Sequence, residues 1–224
     1  MDATLLLARR PADADAAWLH RSLAALAQRF RDARVRLFVA DVDRSSLGPR
    51  VPPAASFDAA VLVERAKAGW PAPPRPDAAR ADALAWLAGA RGYRVDVRRL
   101  LDDGRVARPA ERSPGCVFFA TAVRSPSIDA DAFDAHWRDR HGPLALAHHV
   151  GLCAYEQLPV RRALTVGAPP IDGLALLHFP DAAASRERFY DSEAGRTAIA
   201  ADTQRFLDLP RCEAALLGEH WVRP

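Results

Sequence analysis

The amino-acid sequence predicts an α+β protein made of two copies of one βαββαβ unit, with the two sheets packed face to face as an α+β barrel. Three observations support this prediction. Both halves of the 224-residue chain show the same order of strand-like runs and amphipathic helices. Short segments of the two halves are similar at a nearly constant offset. The composition, with 50% hydrophobic and 26% charged residues, is that of a globular protein rather than a disordered, collagen-like or coiled-coil chain.

The first half is predicted to begin with a strand over 4–8 and a helix over 15–30. That helix carries Trp18, Leu19, Leu23, Leu26 and Phe30 along one side. Runs of apolar and β-favouring residues predict strands over 35–42, 59–63 and 93–101. A Pro/Gly loop over 45–56 and a second helix over 79–88 complete the order βαββαβ.

The second half repeats that order, with predicted strands over 116–123, 152–158, 174–179 and 213–221. Asp129 is a suitable N-cap for a helix that runs to about residue 140. Because proline disfavours helix in the residue before it, Pro143 predicts that this helix ends near His141. A loop over 165–170 and helices over 182–190 and 195–206 complete a unit of the ferredoxin-like type.

Local similarity between the halves indicates duplication. The segment 13–17 reads DADAA and the segment 129–133 reads DADAF, 116 residues later. The segment 57–64 reads FDAAVLVE and aligns with IDGLALLH at 171–178, so Asp58 matches Asp172 and Glu64 matches His178. We therefore place the two units at 1–107 and 115–224, with a polar linker at 108–114. A lone unit leaves one sheet face bare, so the two sheets are expected to cover each other.

Charge and cysteine usage exclude several classes of function. The formal net charge is +3, and neither half has the basic run expected of a nucleic-acid-binding protein. The longest stretch without Asp, Glu, Lys or Arg ends at Tyr155 and is too short to cross a bilayer. The apolar run at the start has no basic region before it, so we expect no signal peptide, no membrane partner and a cytoplasmic location. Three cysteines without a CxxC spacing predict free thiols.

The run 132–146 reads AFDAHWRDRHGPLAL and resembles the central motif of the EthD family. That motif is a helix with Phe, Trp and His four residues apart, followed by Pro-Leu; here these residues are Phe133, Trp137, His141, Pro143 and Leu144. Further similar blocks follow in order, namely Tyr155, Asp172–Gly173, Phe179 and the segment 190–208. The resemblance covers roughly residues 115–222. The first half departs from it, because Ala25 stands where His141 would align, and is interpreted as a degenerate copy.

The resemblance implies the dimeric α+β barrel fold, in agreement with the residue patterns. EthD proteins are associated with the degradation of ethers and aromatic-derived lactones. The wider superfamily includes cofactor-free monooxygenases, cyclases, isomerases and haem enzymes, and fold alone does not choose among these.

The leading interpretation is a small-molecule enzyme without metal or cofactor, acting on a hydrophobic oxygenated organic substrate. Its chemistry would be of the oxidoreductase (monooxygenase-like) or the isomerase/cyclase type. The alternatives are a non-catalytic ligand-binding or accessory protein of a degradation pathway, and a haem protein, which its colour would reveal. A homodimer beyond the intrachain pseudo-dimer is left open.

His141 is the predicted general acid or base, because histidine titrates near neutral pH. Trp137 and Phe133 precede it by one and two turns on the same helix face. Together with His136, they are predicted to line the substrate pocket. The competing interpretation is an amphipathic core helix whose histidine is a capped end.

Tyr155 and His178 are the other predicted catalytic groups, each polarising a substrate oxygen. The competing role for Tyr155 is simple packing. His178 alternates with Leu174 and Leu176 along a strand. It therefore faces either a barrel cavity or the strand's exit to solvent.

No metal site is predicted. His136 and His141 are five residues apart, a rotation of about 140° around an α-helix, so we expect them on different faces. Asp172 and Asp202 are interpreted as turn or cap residues. A last-turn position would favour the protonated form of His141, whereas aromatic burial would favour its neutral form. P-loop, GxGxxG, GxSxG and HExxH motifs are absent from the sequence.

Overall fold

The computed structural model describes residues 2–42, 55–64, 81–104 and 108–223. Most of the predicted 45–56 loop and the first two residues of the predicted 79–88 helix lie outside this part of the chain. Within the described ranges, no helix is both long and apolar enough to cross a membrane.

The described part of the first half contains five strands. They are β1 (Asp2–Ala8), β2 (Arg34–Val39), β3 (Ala59–Glu64), β4 (Arg91–Asp96) and β5 (Arg98–Leu101). The helices are α1 (Ala16–Arg29) and the short α2 (Ala81–Leu84), which continues as a 3₁₀ turn, Ala85–Leu87. Asp15 caps α1 by accepting from the main-chain N–H of Trp18 at 2.7 Å. The predicted last strand is thus two strands, interrupted at Val97.

The second half contains four strands. They are β6 (Cys116–Ala122), β7 (Ala154–Ala163), β8 (Gly173–Phe179) and β9 (Ala214–Arg223). Its helical elements are α3 (Ala130–His136), a π-helical turn (Trp137–His141), α4 (Gly142–His148), α5 (Ala182–Glu187), α6 (Glu193–Phe206) and a 3₁₀ turn (Leu209–Arg211). The predicted elements are all present, with shifted ends.

The strands form one closed antiparallel barrel. The order is β4-β1-β3-β2-β9-β6-β8-β7, and β7 pairs with β4 to close the ring, while β5 also pairs with β7. Within each half, the first four or the last four strands lie in the same relative order: fourth, first, third, second. The predicted pair of facing sheets therefore needs a correction, because the two sheets also hydrogen-bond edge to edge, at β2–β9 and at β4–β7. Closure leaves no unpaired sheet edge in the ring.

The same hydrogen bond occurs at equivalent positions of the two halves. The main-chain N–H of Arg10 donates to Asp58 Oδ1 at 2.7 Å, and that of Arg124 donates to Asp172 Oδ2 at 2.9 Å. The two donors and the two acceptors are each 114 residues apart. Both aspartates thus hold the chain just beyond the first strand of their half, which is a structural role.

The barrel interior is apolar along most of its length. Side chains alternate across each strand, so Leu174 and Leu176 of β8 face inward and Leu177 and Phe179 face the helices outside. Inward-facing Phe38 and Phe57 both contact Phe119 edge to face. These buried side chains make the interior a packed core.

One part of the interior is ionic. We call the buried group Arg36, Glu64, Glu156, His178 and Glu219 the barrel ion cluster. Arg36 lies at its centre, with Nη1 2.6 Å from Glu156 and 3.1 Å from Glu219, and Nη2 3.1 Å from Glu64. Burial would raise the pKa of Glu156, but Arg36 and His178 hold it well below its usual range. Against the effect of burial, the pKa of Glu219 is also lowered, by His178 and Arg36, so the cluster keeps Glu156 and Glu219 ionised inside the barrel.

Candidate functional site

The helix that carries the EthD-like motif does not end at His141, as the sequence predicted. It begins at the predicted cap, where Asp129 accepts from Ala132 N–H at 2.7 Å, and it continues through α4 to His148. A π-helical turn makes this possible: Gly142 N–H donates to the carbonyl of Trp137, five residues back. Proline has no N–H, and its ring clashes with the carbonyl four residues earlier in a regular α-helix. The wider turn accommodates Pro143 without ending the helix.

The same turn brings two histidines onto one carboxylate. His136 Nε2 lies 2.9 Å from Asp202 Oδ1, and His141 Nδ1 lies 2.9 Å from Asp202 Oδ2. The expectation that these histidines occupy different faces is wrong, because it assumed 100° per residue throughout. A π-turn is closed by a hydrogen bond between residues five apart, and here it leaves His136 and His141 on the same side of the helix, facing Asp202.

Asp202 is also not the predicted turn or cap residue. It lies inside α6 and is 8% exposed. A signal for this was present in the sequence, since Gly195, Ile199, Asp202 and Phe206 form one buried stripe at helical spacing. A carboxylate on an otherwise apolar stripe needs a partner, and here it has two.

His141 is buried beside an aromatic ring, with its centroid 5.1 Å from that of Phe206. Burial lowers its pKa and outweighs the opposing influence of the Asp202 carboxylate. The predicted contribution of a helix C-terminus does not apply, because the helix continues past His141. The imidazole is therefore neutral at pH 7.

The contact with Asp202 assigns the tautomer of His141. The carboxylate only accepts, so Nδ1 carries the proton and Nε2 holds a lone pair. Among the described residues the hydrogen bond of this imidazole is made by Nδ1, and the side chain is 11% exposed. A neutral imidazole held through Nδ1 by a buried carboxylate, with an unprotonated Nε2, is suited to act as a general base.

Trp137 and Phe133 form an aromatic cluster beside this pair, as the motif spacing predicted. The Phe133 ring lies 5.5 Å from Trp137 and 5.8 Å from Phe206, and all three side chains are buried. Phe206 also stacks on His136 at 4.7 Å. Sequence reasoning missed Phe206, which connects the aromatic cluster to both histidines.

Tyr155 lies on the same outer face of the sheet as His141. Its hydroxyl accepts from Gln157 Nε2 at 3.2 Å, and it is almost fully buried. Burial raises the pKa of Tyr155 to about 12, against the hydrogen bonds from the Gln157 and Trp137 side chains. The phenol therefore stays protonated and can donate a hydrogen bond.

His178 does not join this site. It faces the barrel interior, whereas its neighbours Leu177 and Phe179 face the helices where His141 lies. Its Nε2 is 3.5 Å from Glu156 Oε2, without a hydrogen bond. Of the two orientations proposed for His178, the structure shows the inward one. Glu64, which aligns with His178 in the sequence of the first half, belongs to the same barrel ion cluster. The grouping of His178 with His141 and Tyr155 is thus wrong, because successive residues of a strand point to opposite faces.

A pocket of about 280 Å³ opens between α3 and the β7–β8 hairpin. Phe133 is the one predicted site residue on its wall; the charged residues there are Asp131, Asp134, Arg138, Arg161 and Asp172. Among the described residues, no cluster of three or more His, Cys, Asp or Glu side chains could hold a metal ion.

The closed barrel with helices on its outside defines the class of protein, the dimeric α+β barrel. Residues 125–210 match the model of the EthD domain, and this segment contains the motif at 132–146.

Among solved structures, the chain is similar to an anthrone oxidase-like protein, with a TM-score of 0.56 and 13% identity over 99% of this chain and 91% of that one. It also matches a mutant chlorite dismutase from Candidatus Nitrospira defluvii, with a TM-score of 0.45 and 9% identity over 100% of this chain and 91% of that one. No curated protein sequence matches the chain.

Proposed function

We propose that the protein is a small-molecule enzyme in which His141 removes a proton from a carbon acid, a C–H group next to a carbonyl or phenolic ring system. The observation that carries the proposal is the buried contact between His141 Nδ1 and Asp202, which leaves Nε2 unprotonated at neutral pH. The aromatic side chains of Phe133, Trp137 and Phe206 provide surroundings for a hydrophobic ring system.

Proton removal turns such a substrate into an enolate or phenolate, whose negative charge needs a donor. The protonated hydroxyl of Tyr155 lies on the same side of the sheet and is suited to this role. The same first step serves two reaction types. Reaction of the carbanion with O₂ gives monooxygenase chemistry, and return of the proton at another carbon gives isomerase or cyclase chemistry.

The name of the structural neighbour suggests a probe. Anthrone has a methylene group between two aromatic rings and opposite a carbonyl, and its acidity fits the proposed proton transfer. Oxidation would convert this methylene to a carbonyl: one atom of O₂ remains in the quinone and the other leaves as water. No cofactor is needed for that balance, because the substrate supplies all the electrons.

Proton transfer can be tested separately from oxidation. Anthrone is incubated with the protein in deuterated buffer under argon, and loss of the methylene proton signal is followed by NMR. We expect the wild type to accelerate exchange and, in air, to consume O₂ with formation of anthraquinone. His141→Asn should reduce both rates by a factor on the order of a hundred to ten thousand.

His148→Asn is the matched control. His148 is also bound to an aspartate, with Nδ1 3.0 Å from Asp191, but this pair is on the surface. The control should retain wild-type rates. Equal exchange by wild type and His141→Asn, both folded, would contradict the proposal.

A second function, non-catalytic ligand binding, is supported by one observation. The 280 Å³ pocket is walled by Phe133 but not by His141 or Asp202. Binding of the probe in this pocket with unchanged affinity in His141→Asn, and without turnover, would favour the binding protein.

We also propose that the two halves are ferredoxin-like repeats of one ancestral unit. The shared strand order and the equivalent bonds of Arg10 to Asp58 and of Arg124 to Asp172 support this origin. The first half has lost the histidine, with Ala25 at the aligned position.

A further inference from the structure

One side chain of the first half, that of Arg98, contacts the elements around the candidate site in the second half. Arg98 of β5 places Nη2 2.9 and 3.1 Å from the two carboxylate oxygens of Asp134, on α3. Its Nη1 donates to Gln157 Oε1 at 2.8 Å. Arg98 therefore joins the first half to both a helix and a strand of the second half, using the planar fork of the guanidinium.

This contact decides the orientation of the Gln157 amide. Arginine only donates, so the amide oxygen must face Arg98 and the amide nitrogen must face the other way. Nε2 of Gln157 then donates to the main-chain carbonyl of Trp137 at 2.9 Å and to the Tyr155 hydroxyl at 3.2 Å. A flipped amide would place an oxygen against the Trp137 carbonyl, which is repulsive. Gln157 is completely buried, so no water replaces these partners.

The Trp137 carbonyl is the acceptor of the π-turn. It receives Gly142 N–H across the turn and Gln157 Nε2 from β7. This turn also places His136 and His141, which are five residues apart, on the same side of the helix, so that both bind Asp202. Arg98, Gln157 and Trp137 thus form a chain of contacts from the first half to the turn that carries His141.

We propose that Arg98 is a positioning residue, through which the first half fixes the π-turn and the orientation of His141. The effect on turnover rests on the proposed function of His141, whereas the effect on its imidazole does not. The degenerate first half thereby has a role, because it supplies the arginine that orients Gln157.

The test compares Arg98→Met with Arg112→Met. Arg112 also holds a carboxylate with its guanidinium fork, with Nε and Nη2 each 3.0 Å from Asp41, but neither residue lines the pocket beside α3 or is a partner of Gln157. The imidazole signals of His136 and His141 are recorded by NMR, and kcat and KM are measured with anthrone. We expect Arg98→Met to shift both imidazole signals and to lower kcat on the order of tenfold to a hundredfold, with KM changed less than threefold, while Arg112→Met matches wild type.

Two further variants keep the proposal testable if Arg98→Met fails to fold. Gln157→Glu keeps the side-chain length but places oxygen against the Trp137 carbonyl, and should shift the same signals. Arg98→Lys retains a charge near Asp134 but not the fork, and should be intermediate. Unchanged His141 signals in a folded Arg98 or Gln157 variant would overturn the positioning role. Shifted signals without turnover in the wild type would keep that role and reject the proposed function.

Discussion

His141 binds Asp202 through Nδ1 at 2.9 Å, and both groups are buried. The carboxylate stabilises the protonated imidazole, whereas burial destabilises it, and burial prevails. A base of lowered pKa is unprotonated at pH 7. The activity attributed to His141 should accordingly rise with pH below 6.5 and stay constant above that value.

Asp202→Asn should disturb this base without removing it. The two histidines contact different oxygens of Asp202, and asparagine has an oxygen at only one of these two positions and an NH₂ donor at the other. We expect a lower pKa for His141, because the Asp202 charge raises it, and a loss of kcat on the order of a hundredfold or more from the wrong tautomer. NMR titration of the imidazoles and kinetics with anthrone measure the two effects.

Asp191→Asn is the control for this substitution, since Asp191 pairs with the surface residue His148. It should leave kcat unchanged. Retention of the wild-type His141 tautomer in Asp202→Asn would show that the carboxylate does not orient the imidazole.

The sequence predicted the architecture well because strand and helix periodicities are local signals. The inward row of Leu174 and Leu176 and the cap at Asp129 are examples, and both are present. The site was harder to predict, because the π-turn depends on a contact of the Trp137 carbonyl with Gln157 on another element. Nothing in the local sequence indicates that Arg98, 59 residues before Gln157, orients its amide. The geometry of a regular α-helix, taken alone, therefore placed His136 on the wrong face of the helix.

Gly173→Ala should displace Trp137. A Cβ at this position would lie 2.7 Å from Cη2 of the indole and closer still to Cζ3. The ring is buried and cannot move away freely, so we expect a destabilisation of about 1–3 kcal/mol. Urea unfolding gives the stability, and the indole N–H signal of Trp137 reports its position.

Gly89→Ala is the comparison, because nothing lies within 4 Å of the added Cβ. It should leave both measurements near wild type. Equal stability of the two alanine variants would mean that the site around Trp137 is looser than its packing indicates.

Arg36→Met should be among the most destabilising single changes in the barrel. It would remove the arginine from Glu219 and leave buried Glu64 and Glu156 with the partly exposed Arg99. Breaking a buried ion pair by removing one partner typically costs about 3–5 kcal/mol. Urea unfolding at pH 7 measures the loss.

Arg161→Met tests whether any lost ion pair has this effect. Arg161 binds Asp96 at 2.5 Å, but its side chain is 54% exposed, so we expect a cost below about 1 kcal/mol. Similar losses for the two variants would argue against a special role of burial in the barrel ion cluster.

His149 should make the protein less stable as the pH is lowered from 6.5. Burial lowers the pKa of His149 to about 4, although its ring nitrogen Nδ1 donates to the Phe189 carbonyl at 2.6 Å. In the unfolded chain the ordinary pKa is 6.5, so between pH 6.5 and 4 the unfolded state binds the additional proton and is favoured. His141, His148 and Asp191 also act on this group. Across the full interval between these two pKa values, the free energy of unfolding should fall by about 3 kcal/mol.

The measurement is urea unfolding of the wild type and His149→Gln between pH 7.5 and 4.5. In this range Glu156 and Glu219 stay ionised, because their pKa values are lowered. Glutamine can still donate to the Phe189 carbonyl but does not titrate. His149→Gln should be less stable than the wild type at pH 7.5, because the substitution removes the ring contacts with Phe189 and Tyr190. Its free energy of unfolding should fall less steeply toward pH 4.5. His20→Gln, at an exposed position of α1, should keep the wild-type slope. An unchanged slope in His149→Gln would show that this buried imidazole takes up its proton without cost to the fold.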